Sequence, residues 1–143
     1  MTVEEVTMIL KVDFNSPLPL YAQIKDQILF NIASGTLSSG ERLPSVRELS
    51  TSLRINPNTV IQAYRELERD GVVQTRKGQG SFIREGGAGM GTQRAADLLR
   101  DELKKIVSLA GQFGLEREEI KKLLIEILDD ENMEIRDGRN SHV

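Results

Sequence analysis

The sequence predicts a mostly α-helical fold with one small β-hairpin. Apolar residues recur at intervals of three and four positions in five separate stretches, the spacing of one face of an α-helix. Two short β-prone runs lie between the third and fourth stretches and are separated by five residues that include two glycines. Capping or turn-forming residues separate the helical stretches, so each stretch is predicted to be an element of its own.

The first two helices are marked by their ends. The first follows Pro17 and Pro19, and the segment "SGTLSSG" ends it with turn-forming residues. The second is short and begins with a capping box, in which Ser45 accepts from the Glu48 N–H and the Glu48 carboxylate reaches back. The apolar faces of the two helices consist of Tyr21, Ile24, Ile28 and Ile32, and of Val46, Leu49 and Leu53.

The third helix follows after only a few residues. Asn56 is a favourable N-cap, Pro57 occupies the first helical position, where a missing N–H costs nothing, and Gly71 ends the helix. The predicted buried stripe consists of Val60, Ala63, Tyr64 and Leu67. The opposite face gathers the polar residues Asn58, Gln62, Arg65 and Arg69.

A hairpin and a glycine-rich segment come next. The runs "VVQT" and "SFI" are predicted to pair, with Arg76 and Lys77 at the tip. The segment "GGAGMG" is predicted to be a flexible linker, because no Lys-Ser/Thr pair follows it and no strand–loop–helix unit frames it as a phosphate-binding loop.

Two further helices are predicted in the last third of the chain. Their apolar positions are Ala95, Leu98, Leu99, Leu103, Ile106 and Ala110, and then Ile120, Leu123, Leu124, Ile127 and Leu128. A pair of helices cannot cover both apolar faces by itself, so the excess surface is expected to pack on the rest of the chain or on another chain.

Composition narrows the class of protein. The 143 residues include no cysteine and one histidine, His142, next to the end. No apolar run approaches the length of a membrane span, and the acidic N-terminus does not resemble a secretory signal, so a cytoplasmic protein without membrane contact is expected. No cofactor or metal site is expected, and an enzyme is disfavoured because thiols, usable imidazoles and clustered carboxylates are lacking.

Charge is unevenly distributed along the chain. The net charge is -3, yet residues 40–84 carry eight basic and five acidic side chains. A locally basic module in an acidic chain suits phosphate binding, although scatter over a mixed surface explains the charge alone equally well.

Three helices followed by a basic hairpin describe a winged helix-turn-helix. In that architecture the second helix of the pair enters the DNA major groove and its N-terminal residues meet base edges. Asn58 and Thr59 are therefore candidate base-reading residues, whereas Asn56 is either a cap alone or a contact as well. Gln62 and Arg65 are further candidates, and Arg65 and Arg69 are equally well explained as a solvated face paired with neighbouring glutamates.

The segment "LYAQIKDQI…SGTLSSGERLPSVRELSTSLRINPNTVIQAYRELERDGVVQTRKGQGSFI" resembles the DNA-binding domain of GntR-family bacterial transcriptional regulators. The resemblance implies that Arg47 binds backbone phosphate and often a guanine, that residues 56–59 read bases, and that Lys77 and Gly78 enter the minor groove, with Arg76 beside them. Many relatives have a polar residue in place of Pro57 and arginine in place of Ile61, so base readout is expected to differ here.

The short C-terminal part resembles the YtrA subfamily in particular. That resemblance implies a homodimer that binds a palindromic operator in double-stranded DNA, a repressor role, and control of a transporter operon and of its own gene. The residues assigned to dimerisation are Leu99, Leu103, Ile106, Ile120, Leu124 and Ile127. A two-helix unit offers no apolar pocket with converging polar groups, so no small-molecule effector is assigned.

The predicted organisation has five parts. Residues 1–16 form an N-terminal extension, 17–85 the winged helix-turn-helix DNA-binding domain, 86–91 the linker, 92–129 the two-helix dimerisation unit and 130–143 a mobile tail. An interaction module that uses a winged helix for protein contacts is the alternative among binding proteins. It would not need Arg47, Asn58, Lys77 and the glycine-rich wing together.

Overall fold

The computed structural model describes residues 10–130. Most of the predicted N-terminal extension, nearly all of the predicted tail, and His142 lie outside these residues. The elements are α1 (Leu20–Ala33), α2 (Val46–Leu53), α3 (Pro57–Arg69), β1 (Val73–Arg76), β2 (Gly80–Ile83), α4 (Gly87–Gln112) and α5 (Arg117–Leu128). The predicted fold class, a mostly helical chain with a small hairpin, is confirmed.

The chain divides into two compact units, Met1–Leu99 and Arg100–Val143. In the first unit α1, α2 and α3 enclose an apolar core that includes Ile24 and Ile28 of α1 and Val60 and Leu67 of α3, all fully buried. Burial of these side chains is the main stabilising contribution that positions α3.

The hairpin is docked onto this core by backbone hydrogen bonds. β1 and β2 pair antiparallel in the register Val73↔Ile83 to Arg76↔Gly80. Residues 40–43, between α1 and α2, run beside β2: the Leu43 N–H donates to the Ser81 oxygen at 2.8 Å, and the Ile83 N–H donates to the Glu41 oxygen at 2.8 Å. The wing is therefore tied to the loop that leads into α2.

The structure differs from the predicted linker at 86–91. Gly86 lies in a turn and residues 87–91 open α4, in which Gly87, Gly91 and Ala95 are buried in the first unit. A β-carbon on Gly91 would lie 2.8 Å from Ile32 Cγ2, and one on Gly87 would overlap the Val72 carbonyl oxygen. The two glycines thus permit close packing of a helix, whereas they were predicted to provide flexibility.

The second unit contains the end of α4 and all of α5. No residue of α5 is buried, and Ile106, Leu124 and Ile127 are between 39 and 57 % exposed. Among residues 10–130, no helix combines the length and the apolar character needed to cross a membrane.

Candidate nucleic-acid interface

The start of α3 separates a capping residue from candidate contact residues. The Asn56 side-chain oxygen accepts a hydrogen bond from the Asn58 N–H at 2.9 Å, so the predicted cap is confirmed and this side chain is occupied. The Asn58 side chain is exposed and bonds to no other residue within 10–130. Thr59 is half-buried. Of the three, Asn58 has the side chain most available to a base edge.

The exposed face of α3 continues this polar surface. Gln62 and Arg65 are exposed, one and two turns beyond Asn58, and Arg65 has no ion pair in the described part of the chain. Arg69 lies 3.8 Å from the Glu66 carboxylate and its side chain is 72 % exposed. The structure therefore distinguishes the two arginines: Arg65 is unpaired, and Arg69 belongs to a weak intrahelical pair.

The far end of α3 is held by a group of charges. Lys25 of α1 lies 3.1 Å from the Asp70 carboxylate and 3.4 Å from that of Glu66. Arg94 of α4 approaches Asp70 from the other side, at 3.8 Å. These side chains are only partly exposed, and they connect α1, α3 and the first turns of α4. They hold the end of α3 against α1 and α4.

Arg47 lies at the start of α2, where the predicted capping box is present. The Glu48 N–H donates to Ser45 Oγ at 3.0 Å and the Ser45 N–H donates to the Glu48 carboxylate at 3.4 Å. Arg47 is exposed and has no ion pair in the described ranges. Arg47 is therefore a candidate phosphate contact, because an unpaired guanidinium beside a helix start suits an anion.

Tyr64 joins α3 to the entrance of α2. Its hydroxyl is buried and donates to the Pro44 carbonyl oxygen at 2.7 Å. Burial raises the pKa of the Tyr64 hydroxyl well above its usual range, and the Glu48 carboxylate raises it further. The hydroxyl therefore stays neutral and remains a donor to the segment that leads into α2. From the sequence, Tyr64 was predicted to be a core residue only.

The two cations of the wing, the hairpin formed by β1 and β2, have different surroundings. Lys77 and Gly78 lie in the exposed turn between the strands, and Gly78 has a φ of 76°. Arg76, by contrast, lies over the Phe82 ring at 4.4 Å from its centroid. On the opposite face of the hairpin, the Thr75 hydroxyl contacts the Glu68 carboxylate of α3 at 3.4 Å. Because side chains alternate along β1, Arg76 points away from α3. Lys77, in the exposed turn, is therefore the better candidate of the two for a contact with DNA.

Two arginines near this surface were not singled out by the sequence analysis. Arg42 forms a β-bridge to Phe82, and its Nε would lie 3.1 Å from a β-carbon on Gly80. Arg54 occupies the turn between α2 and α3 with a positive φ of 56°. The sequence held one indication for Arg54. In "LRIN" an arginine occupies the turn between two closely spaced helices, where glycine is favoured.

The chain is similar to known bacterial regulators of transcription. Residues 20–83 match the family model "Bacterial regulatory proteins, gntR family". The HTH-type transcriptional repressor YtrA of Bacillus subtilis is 36% identical over 121 residues, which cover 85% of this chain and 93% of that protein. The uncharacterized HTH-type transcriptional regulator YhcF of the same organism is 41% identical over 75% of this chain and 88% of its own.

Solved structures extend the likeness to the fold. A GntR family transcriptional regulator from Listeria monocytogenes superposes with a TM-score of 0.69 at 30% identity, over 80% of this chain and 99% of that one. YtrA from Sulfolobus acidocaldarius gives 0.53 at 32% identity, over 70% and 98%. These relatives are regulators of transcription and not enzymes, as predicted. The chain belongs to the GntR family of bacterial regulatory proteins and is a DNA-binding regulator of transcription.

Proposed function

We propose that the protein represses transcription by binding an inverted-repeat operator in double-stranded DNA as a homodimer. The observation that carries the proposal is the set of unpaired polar side chains on two packed helices: Arg47 on α2, and Asn58, Gln62 and Arg65 on α3. In helix-turn-helix domains the second helix of the pair enters the major groove, and cations nearby bind the DNA backbone. We assign α3 to the first role and Arg47 to the second.

The homodimer is supported by surface that the chain leaves uncovered. Leu99, Leu103 and Ile106 on α4 are each about half exposed, and Leu124 and Ile127 on α5 are about 40 % exposed; Ile120 on α5 is less exposed. Apolar side chains repeated along two helices at this exposure are typical of a protein–protein interface. A second copy of the same chain presents an identical stripe, and two-fold pairing would bury both stripes at once.

A named repressor among the relatives supports the repressor role, and the symmetry of a dimer supports an inverted-repeat operator. YtrA of Bacillus subtilis is named as a repressor, and this chain matches nearly all of it. Two copies related by a two-fold axis read half-sites that are inverted repeats, with centres about one helical turn, roughly 10 bp, apart. We further propose that the regulated genes are a transporter operon and the regulator's own gene. Titration of the intact chain against labelled fragments upstream of that gene tests the proposal.

Phosphate contacts by Arg47 and Lys77 are expected to be independent of sequence. Alanine at either position should weaken binding to every duplex and flatten the dependence of log K on log salt by about one. Fluorescence anisotropy at four or five salt concentrations measures both quantities. Lys104→Ala on α4 removes the same charge from the second unit and should leave both unchanged. An unaltered slope in both the Arg47 and Lys77 variants would exclude these contacts.

Base reading by Asn58 is expected to be specific. Asn58→Ala keeps the helix, because Asn56 provides the cap and alanine is a better helix former. The substitution should weaken binding to the best operator by about 1–3 kcal/mol and relax preference at one or two base pairs. Competition with single-base-pair variants measures this. An equal loss on operator and random DNA would mean that Asn58 only positions α3.

A further inference from the structure

Arg54 has a backbone conformation that side chains rarely adopt. It follows the last residue of α2 with φ 56° and ψ 49°, in the left-handed region. Among residues 10–130 it is the only non-glycine with a positive φ, and the seven other positions of that kind are all glycine. The β-carbon of an L-residue is crowded in this region, so arginine is destabilising here relative to glycine.

The surrounding hydrogen bonds require that conformation. The Ile55 N–H donates to the Ser50 oxygen at 3.0 Å, and the Arg54 N–H donates to the Thr51 oxygen at 3.3 Å. This is the pattern of a Schellman motif, whose left-handed position is usually glycine. The motif makes the short turn that brings α3 directly after α2. The backbone at Arg54 therefore cannot relax without changing the helix-turn-helix.

The side chain of Arg54 makes no compensating contact within the described residues. It is exposed and has neither a hydrogen bond nor an ion pair there. Its position, two residues before the Asn56 cap, places it beside the end of α3 that carries Asn58. An unfavourable backbone conformation that persists beside a binding surface points to a role for the side chain in the bound state.

We propose that Arg54 is a further DNA contact, in which its guanidinium binds a backbone phosphate at the edge of the major groove that α3 enters. The inference rests on the proposed DNA binding and adds a residue to it. A planar guanidinium can hold a phosphate through two hydrogen bonds, and the contact carries no base preference. The left-handed turn that follows α2 brings Arg54 next to the reading residues. The opposing explanation is that Arg54 only stabilises the carbonyl end of α2.

Glycine substitution separates the two explanations, because it changes stability and binding in opposite directions. In the full-length chain, Arg54→Gly should raise the thermal unfolding midpoint by a few degrees. The same variant should bind a selected operator about tenfold more weakly, with the salt slope flattened by about one. Arg54→Asn, which tolerates the left-handed region but has no charge, should match glycine in binding. Arg54→Lys should keep the salt slope.

Three outcomes would overturn the assignment. Unchanged affinity and salt slope in Arg54→Gly would show that the guanidinium does not touch DNA. A lowered unfolding midpoint with unchanged binding would show that it stabilises α2. A loss confined to one base pair of the operator would show a base contact rather than a phosphate contact. The unsubstituted chain is the reference: if it bound no duplex, the proposed function itself would fail, which is distinct from these results.

Discussion

Replacing Leu103 and Ile106 together by glutamine is expected to turn the protein into a monomer and to weaken its binding to an inverted repeat by about 100-fold or more. The two side chains are 47 and 57 % exposed on α4, so a core is not disrupted, and glutamine is a good helix former without charge. A monomer engages one half-site, so it loses the effective concentration that links two half-sites in a dimer.

Sedimentation velocity at micromolar concentration, together with anisotropy on the same samples, measures both effects. Ser108→Gln provides the control, because Ser108 lies on the opposite side of α4 by helical period. It should leave assembly and binding unchanged. If the double variant remained dimeric, or bound the inverted repeat as tightly as the original chain, the exposed stripe of α4 would have another purpose.

Gly87→Ala is expected to lower the free energy of unfolding by about 1–3 kcal/mol, because the new methyl group would overlap the Val72 carbonyl oxygen. Gly91→Ala should destabilise in the same way, since its methyl group would lie 2.8 Å and 2.9 Å from two carbon atoms of the buried Ile32 side chain. In both variants the start of α4 must move away from the domain that carries α3. Urea unfolding followed by circular dichroism measures the change.

Gly89→Ala is the matched control for this pair. It lies in the same turn of α4, and a β-carbon there meets no atom within 4 Å. Alanine should therefore leave the stability unchanged or raise it by up to about 1 kcal/mol, through helix propensity alone. Equal stability of all three variants would mean that the glycine-rich segment is the flexible joint that the sequence suggested.

The parts of the fold that follow from local chemistry could be predicted from the sequence. The capping box at Ser45, the Asn56 cap with Pro57 after it, and Gly71 at the end of α3 are all present. Each depends on residues within three or four positions of one another. The hairpin was predictable for the same reason, since its register follows from two short runs and the turn between them.

The parts that depend on distant residues could not be predicted. Residues 87–91 have weak helix propensity, and their helical conformation depends on packing against Ile32 and Val72. The position of Arg76 was equally hidden: it was predicted at the hairpin tip, but it ends β1 and lies over the Phe82 ring of the paired strand. At the candidate site the sequence identified the exposed cations Arg47, Arg65 and Lys77 but not Arg42 or Arg54. It did not show which exposed cations are paired, as Arg69 is.

Symmetric DNA binding by a dimer is tested most directly by selecting the duplexes that the intact protein binds from a pool with a randomised central region, and by sequencing them. We expect an enriched inverted repeat whose half-site centres lie about 10 bp apart. The Leu103 and Ile106 double variant should enrich a half-site weakly or not at all. Selection by the intact protein of a single unrepeated site, or of no motif, would contradict the proposal that a dimer of this chain reads a two-fold symmetric operator.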